Sequence, residues 1–278
     1  MSQRLDHVVI HVADLDAATD IYARLGFSLT PRGHHSLGSS NHLAIFEDDY
    51  LELLGVEARN AHLPTAHWGH PTGLVGLVFK LHDADAQWRR LRDAANTLEG
   101  DAPRDFHRPV ALPDGSTRDA RFRTIRIAPD AIPAGRVFLC EHLTPELVWQ
   151  PGAPRHPNGV TGVAEYGYVA AAPDTFVAPL RQAFPELEWR VAQDRVAAAL
   201  AGGAQVAVYT PAGFAARYGD APVHGDRAAG LTLRTRDLAA VRALLARNGI
   251  TPARDEAGRV LLAPRDAEGV ALAFIGPA

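Results

Sequence analysis

The order of strand-like and helix-like segments restricts the fold of this chain most, because the same order recurs four times along it. In the first copy, a β-branched run at residues 5–12 has the length of a strand. A helical pattern follows, which Asp14 or Asp16 can cap and which Gly26 can end. The three strand-like pieces that complete the copy lie at residues 27–30, 42–46 and 50–54. Each copy is therefore predicted to be a β-α-β-β-β unit.

The other three copies divide the chain into two pairs of modules. Their first strands begin near Gly73, Val163 and Gly230, and a stretch rich in proline and glycine separates the second copy from the third. The predicted organisation is an N-terminal pair at 1–145, a connecting segment at 146–160 and a C-terminal pair at 161–278.

The fold class follows from the length and number of these strands. We predict an α+β fold in which four βαβββ modules form two curved, half-barrel mixed sheets with the helices outside. A curved sheet has a concave face, and small molecules usually bind in such concave places. We therefore expect a small-molecule substrate or ligand.

Composition excludes several other classes of partner. The formal net charge is −4 with both signs interspersed, so no nucleic acid is expected. No apolar run approaches the ~20 residues that span a bilayer, and the N-terminus lacks a signal-peptide pattern, so we expect a cytoplasmic protein without a membrane partner. Neither a Walker loop nor a Gly-x-Gly-x-x-Gly fingerprint follows a strand, and no nucleotide cofactor is expected. Cys140 is the only cysteine, which excludes an intramolecular disulfide.

Several segments carry a resemblance to a known superfamily. Residues 5–10, 14–16, 25–27 and 50–54 resemble the vicinal oxygen chelate superfamily, which includes glyoxalase I, extradiol dioxygenases, bleomycin-resistance proteins and methylmalonyl-CoA epimerase. The stretch at 141–149, with 156–159, is similar to the glyoxalase-like domain branch. The resemblance implies the fold given above, but one fold hosts many reactions.

The resemblance also implies a set of metal ligands on the first and last strands of paired modules. It places His7, Glu52 and Glu141 at ligand positions, and Gly76 where a histidine would be expected. A nitrogen-oxygen set of this kind suits Zn, Mn, Fe or Ni. Glu52 and Glu141 are ligands in this interpretation, or one of them acts as a general base. A hydrogen-bonded core histidine and a metal-free polar pocket are the alternative.

The second half has poorer candidates at the corresponding positions. Glu165 replaces His7, Gly230 corresponds to Gly76, and Ala273 stands on the closing strand where a glutamate would be needed. We therefore expect the C-terminal pair to be mainly structural.

Candidate substrate-binding residues come from loops and from the stretch that is similar to the glyoxalase-like branch. Asn41 is the best polar candidate in the loop at residues 31–42, whereas His34 and His35 are interpreted as solvated. Arg123 can hold a carboxylate in a bidentate pair. The remaining candidates are His142, Trp149, His156 and Asn158.

Two functions remain open from the sequence. The first is a metal-assisted lyase, isomerase or dioxygenase that acts on a small oxygen-rich molecule. The second is a non-catalytic small-molecule or antibiotic-binding protein of the bleomycin-resistance type. A monomer and a homodimer are both compatible with four modules.

Overall fold

The strands form two mixed sheets, each with eight strands in the described part of the chain. The computed structural model describes residues 3–63, 71–94, 98–112, 114–132, 134–151, 155–220 and 225–277. The predicted α+β class, with paired βαβββ modules in curved mixed sheets, is confirmed.

The first sheet has the strand order β2-β3-β4-β1-β5-β8-β7-β6. Its strands are β1 Leu5–His11, β2 Gly33–His34, β3 Ser39–Ile45, β4 Tyr50–Val56, β5 Gly73–Leu81, β6 Arg104–Ala111, β7 Thr117–Arg126 and β8 Arg136–His142. Helix α1 covers Leu15–Arg24 and helix α2 covers Ala84–Ala94. Asp14, not Asp16, caps α1, because its carboxylate accepts the N–H groups of Asp16 and Ala17.

The second sheet repeats this arrangement, in the order β10-β11-β12-β9-β13-β16-β15-β14. Its strands are β9 Val160–Val169, β10 Trp189–Val191, β11 Arg195–Ala199, β12 Gln205–Tyr209, β13 Arg227–Thr235, β14 Arg254–Glu256, β15 Arg259–Leu262 and β16 Ala271–Ile275. The helices are α3 Pro173–Phe176, α4 Ala178–Ala183, α5 Pro211–Tyr218 and α6 Leu238–Arg247.

The hydrophobic core is continuous between the two halves. Convex-face residues of both sheets, such as Val8 and Leu231, belong to one buried cluster together with helix residues such as Tyr22 and Leu244. The two concave faces have separate clusters of their own. The halves are therefore joined through their helix-covered faces, which leaves each concave face independent of the other.

The N-terminal sheet is nearly closed into a barrel. The Ser36 N–H donates to the carbonyl of His107 over 2.9 Å, and the His107 N–H donates to the Ser36 hydroxyl over 3.2 Å. These bonds join the segment after β2 to β6. Strands β2 and β6 are the two edge strands of the sheet. The concave face becomes the interior of this barrel.

Helix α5 fills the concave face of the C-terminal sheet. The helices were predicted to lie outside the sheets, and α5 does not. Phe214 and Tyr218 of α5 are buried there against strand residues such as Tyr209. The Tyr218 ring fits because Gly230 has no side chain: a Cβ at Gly230 would come within 2.6 Å of the ring. A sheet interior filled in this way leaves little space for a ligand.

The connecting segment is tied to the first module by hydrogen bonds. Residues 152–154 of this segment lie outside the described residues. The fully buried Asn158 donates through Nδ2 to the carbonyl of Leu25 and accepts from the N–H of Val160. Among the described residues, no helix is long enough and apolar enough to cross a bilayer.

Candidate functional site

A cavity of about 50 Å³ lies inside the N-terminal barrel. One wall is polar and includes His7, His35, Asn41 and Glu52. Aromatic and basic side chains of β6, β7 and β8 form much of the remaining lining. A volume of this size holds a hydrated ion or a few water molecules, so a larger ligand has to move side chains as it enters.

His7 is held from behind by the carboxylate of Asp6. Its Nδ1 lies 2.6 Å from Oδ1 of Asp6, and Nε2 of His142 lies 2.9 Å from the same oxygen. Burial by itself raises the pKa of Asp6, but the charges and hydrogen bonds of His142 and His7 outweigh it and hold that pKa well below its usual range. Because an ionised carboxylate only accepts, Nδ1 of His7 carries a proton. Nε2 of His7 is the ring nitrogen that faces Glu52.

Glu52 faces His7 inside the cavity. Its Oε2 lies 3.6 Å from Nε2 of His7, and its Oε1 accepts a hydrogen bond of 2.6 Å from Nδ2 of Asn41. Glu52 is 6% exposed, so its charge is taken largely out of water. Such a carboxylate needs a cation or several hydrogen bonds to offset its desolvation.

His35 is the third polar side chain near Glu52. Its Nε2 lies 3.8 Å from Oε1 of Glu52 and 3.1 Å from Nδ2 of Asn41. Its Nδ1 lies 2.8 Å from the Ser39 hydroxyl. Burial lowers the pKa of His35 to about 4 despite the nearby Glu52 charge, so the ring is neutral at pH 7. A neutral imidazole is the form that binds a metal. The sequence prediction of a solvated His35 differs from this position inside the barrel.

Aromatic rings fix the orientation of His7. The ring of Tyr50 stacks on it with centroids 4.3 Å apart, and Phe138 meets it edge-on at 5.7 Å. His142 and Trp149 meet the Tyr50 ring edge-on, with ring centroids 6.2 Å and 5.8 Å from it. His142 and Trp149, both predicted to bind substrate, therefore pack against the Tyr50 ring that stacks on His7.

Glu141 is not brought together with His7 and Glu52. Its Oε2 accepts the N–H of Ala84 over 3.1 Å at the start of α2, on the convex face of the sheet. Neighbouring residues in a strand point to opposite faces, and it is Cys140 that lines the cavity. The expectation that Glu141 is a ligand or base at the same site as His7 is therefore not met by its position.

The strand register identifies the residue that corresponds to Glu52. His7 pairs with Val78 and Val9 with Gly76, so an approximate two-fold axis relates His7 to Gly76 and Val9 to Val78. Glu52 pairs with Val9, whereas Phe138 pairs with Val78. Phe138 and Gly76 therefore occupy the second module's counterparts of Glu52 and His7.

A second group of potential ligands lies directly behind His7. Atoms of Asp6, Cys140 and His142 lie within 4.8 Å of one another. Burial raises the pKa of the Cys140 thiol well above its usual value, which keeps it protonated. Oδ2 of Asp6 and Nδ1 of His142 are buried and have no hydrogen-bond partner among the described residues.

Two arginines line the basic side of the cavity. Arg108 is 5% exposed, and no hydrogen bond or ion pair within 4.0 Å joins its guanidinium to another residue in the described part of the chain. Arg126 lies nearby, and its closest carboxylate oxygen belongs to Glu99 at 3.9 Å. Burial lowers the pKa of Arg126 to about 10. Arg108 is not among the residues predicted from the sequence, although the alternation Phe106-x-Arg108-x-Val110 in β6 is a signal that it shares a face with apolar residues.

The predicted carboxylate-binding residue, Arg123, lies on the outer face of the barrel. Its guanidinium is engaged by Asp85 at 2.9 and 3.0 Å and by Asp105 at 2.9 Å. These two partners already fill the bidentate geometry that a substrate carboxylate would need. The prediction for Arg123 is therefore not supported by its location.

His156 and Asn158 are also held outside the cavity. Nε2 of His156 donates to the carbonyl of Ile45, and Nδ1 accepts from the N–H of Ser28. Both ring nitrogens are thus used in joining the connecting segment to the first module. Among the predicted substrate-binding residues, the structure places only Asn41 beside Glu52.

The C-terminal half has a satisfied carboxylate at the position of His7. Glu165 accepts hydrogen bonds from Tyr218 over 2.6 Å and Tyr209 over 3.0 Å, and also from Gln205. Arg217 lies 3.5 Å from the same carboxylate. These partners leave Glu165 no role in an open site.

Comparison with known proteins agrees with this fold. The family model described as "Glyoxalase-like domain" matches residues 5–184. No curated protein matches this chain significantly. A hypothetical protein from Staphylococcus aureus is similar in structure, with a TM-score of 0.68 at 11% identity, covering 99% of this chain and 100% of that one.

Two further solved structures share the fold. A triple mutant of 4-hydroxymandelate synthase from Streptomyces coelicolor has a TM-score of 0.57 at 15% identity, covering 99% of this chain and 92% of that one. A xylose isomerase-like TIM barrel/4-hydroxyphenylpyruvate dioxygenase fusion protein has a TM-score of 0.54 at 14% identity, covering 99% of this chain and 49% of that one. From the family match over most of its length, with these structures agreeing in fold, the chain belongs to the glyoxalase-like domain family.

Proposed function

We propose that this protein is a metal-dependent enzyme that acts on a small oxygen-rich molecule inside the N-terminal barrel. His7 and Glu52 hold a divalent cation, and His35 is the third protein ligand. The observation that carries the proposal is the 3.6 Å separation of Nε2 of His7 and Oε2 of Glu52 at the cavity wall. The C-terminal pair of modules, whose concave face is filled by α5, has a mainly structural role.

The distances and protonation states at the cavity wall fit a cation. Metal–nitrogen and metal–oxygen bonds of about 2.0–2.2 Å put two ligands of a tetrahedral metal about 3.4 Å apart. A metal-binding histidine usually donates its other N–H to a carboxylate, as Nδ1 of His7 does to Asp6. The neutral His35 needs no deprotonation in order to bind, but the Asn41 amide between it and Glu52 has to move slightly.

The alternative ligand group behind His7 fits a cation less well. Asp6 is fully buried, and neither Asp6 nor His142 lines the cavity, so a metal held by them would lie away from the space that a substrate can reach. A protonated thiol is also a weak ligand. Asp6 and His142 are therefore assigned to positioning His7.

The donor set favours one chemistry among those that remain open. Two histidines and one carboxylate around a site with open positions are typical of non-haem Fe(II) oxygenases, so Fe is the preferred metal and a dioxygenase-type reaction the preferred activity. A cation at this site would polarise substrate oxygens and stabilise negative charge on them. Asn41 keeps the Glu52 carboxylate oriented, and the aromatic rings around His7 exclude water. The two structural neighbours named as a synthase and a dioxygenase fusion are consistent with this choice.

A second candidate function rests on a different observation. Gly76 and Phe138 cannot bind a metal, although they occupy the positions related to His7 and Glu52. A barrel with two of four ligand positions lost would suit a protein that binds a small molecule without transforming it. In that case the hydrogen bond from Asn41 would serve to hold Glu52 without a metal.

Metal content tests the proposed function. The purified, untagged protein is loaded anaerobically with Fe(II), Mn, Zn or Ni, desalted and measured by elemental mass spectrometry. We expect near-stoichiometric metal in the wild type and in Cys140→Ser, and its loss in His7→Ala and Glu52→Gln. No uptake of any metal by the wild type would favour the binding protein. Loss in Cys140→Ser with retention in Glu52→Gln would move the site to the group behind His7.

A further inference from the structure

Arg108 presents an unbalanced positive charge to the cavity. Its side chain comes from β6 and packs beside Gly33, where a Cβ would lie 3.0 Å from Nη1 of Arg108 and 2.5 Å from Oδ1 of Asn41. Gly33 pairs with Asn41, and Asn41 contacts Glu52. The absence of a side chain at Gly33 therefore leaves room for the guanidinium close to Asn41, the side chain that donates to Glu52.

A guanidinium in this position needs an anion. An arginine that is 5% exposed has lost most of its hydration, and removing a charge from water without a partner is costly. Among the described carboxylates, only that of Glu52 interacts electrostatically with Arg108, and the two groups are too far apart to form an ion pair. Glu52 is also shared with Asn41, His7 and His35. Nothing in the described protein therefore neutralises Arg108 directly.

The net charge of the groups around the cavity becomes more positive once the proposed metal site is filled. A divalent cation would take up the single negative charge of Glu52 and leave Arg108 without even its distant partner. Arg126 adds a second guanidinium to the lining, with Glu99 as its closest carboxylate at 3.9 Å. The net charge that faces the cavity then favours an anionic ligand.

We propose that the substrate of this site is a small organic carboxylate, held by its carboxylate group on Arg108. The inference deepens the proposed function and shares its cavity. The planar guanidinium can donate two parallel N–H groups to a carboxylate, a geometry that an ammonium group cannot provide. Phe106 and Phe122, stacked with centroids 4.9 Å apart, supply an apolar wall for the carbon part of the molecule.

Calorimetric titration of the metal-loaded protein with acetate, pyruvate and oxalate tests this inference, and acetamide and inorganic phosphate are titrated as comparison probes. We expect at least one carboxylate to bind and acetamide not to bind. Arg108→Met should weaken the carboxylate affinity about tenfold or more. Arg108→Lys should recover only part of it. Arg123→Gln, which removes an outer-face guanidinium, should leave the affinity unchanged.

Three outcomes would overturn the inference: no binding of any carboxylate by the wild type, equal affinity in Arg108→Met, or tighter binding of phosphate than of every carboxylate. Metal content is measured on the same samples. Arg108→Met should retain its metal, so a failure of the carboxylate inference is distinguishable from a failure of the metal site. Loss of an unpaired buried charge should leave the melting temperature of Arg108→Met equal to or above that of the wild type without ligand, and a lower melting temperature would instead indicate a structural role.

Discussion

Asp6 holds His7 through a 2.6 Å contact between Oδ1 and Nδ1, and the two residues are adjacent in the chain. Residue pairing in β1 shifts between Leu5 and His7, which marks an irregularity in the strand at this point. The irregularity lets neighbouring side chains contact each other, although regular strand geometry would point them to opposite faces. A carboxylate behind a metal-facing imidazole fixes its orientation and raises its basicity.

Removing the charge of Asp6 should weaken metal binding without removing a ligand. In Asp6→Asn the amide cannot accept as strongly from His7 and His142, and we expect the metal affinity to fall about 10–100-fold. The measurement is competition with a chromophoric chelator. Asp105→Asn, which changes an exposed carboxylate of the outer face, is the control. An unchanged affinity in Asp6→Asn would show that the contact with His7 has no influence on the metal.

Asp49 should make folding stability depend on pH. Burial raises its pKa to about 7 from an ordinary value of 3.8, and the Val163 N–H and the charge of Arg234 offset only part of the effect. Because the folded state binds the proton more tightly, the free energy of unfolding should fall as the pH rises from about 4 to about 7, and be level above it.

The Asp49→Asn variant tests that linkage. Its amide oxygen can still accept from the Val163 N–H, so we expect it to exceed the wild type by about 1–3 kcal/mol in free energy of unfolding at pH 8. The gain should shrink towards pH 5. Denaturant unfolding at both pH values is the measurement, with the exposed Asp119→Asn as control. A gain that does not depend on pH would contradict the assignment.

Gly230 should be intolerant of a side chain. A Cβ there would lie 2.6 Å from two ring carbons of Tyr218, and the ring is packed between α5 and the sheet. We expect Gly230→Ala to destabilise the protein by about 1–3 kcal/mol. Gly258, whose Cβ would meet nothing within 4 Å, provides the control Gly258→Ala. Equal melting temperatures of the two variants would show that α5 does not pack on this face as described.

Substitution of Asn158 distinguishes a structural role of this residue from a role in substrate binding. Asn158→Ala removes the bonds to the Leu25 carbonyl and the Val160 N–H, which leaves buried polar groups unpaired. We expect a loss of about 1–3 kcal/mol in stability and no change in metal content or carboxylate affinity. A weaker carboxylate affinity at unchanged stability would instead support the prediction made from the sequence.

The fold could be predicted because it repeats. Four copies of one order of strands and helix constrain each other, and the face of β4 that holds Glu52 follows from its apolar neighbours Leu51 and Leu53. His7, Glu52 and Asn41, all selected from the sequence, lie together in the cavity. Local alternation was sufficient for these residues.

The other residues of the site depend on strand register and on closure of the barrel, which a local sequence pattern does not reveal. Whether Glu141 or Cys140 faces the cavity is decided by the parity of β8, and a one-residue change reverses it. His35 enters the cavity because the segment after β2 folds back onto β6. The alternation in β6 puts Arg108 on a face with Phe106 and Val110, but the sheet itself is needed to show that this face is the inner one.

The position of a bound metal decides whether His7, Glu52 and His35 form the site. Crystals of the Mn-loaded protein, measured with X-rays above the Mn absorption edge, give an anomalous peak wherever the metal lies. We expect the strongest peak about 2.0–2.3 Å from Nε2 of His7 and from the Glu52 carboxylate, with Nε2 of His35 completing the set. A peak beside Cys140 and His142, or the absence of any peak in the barrel of a fully loaded protein, would contradict the account.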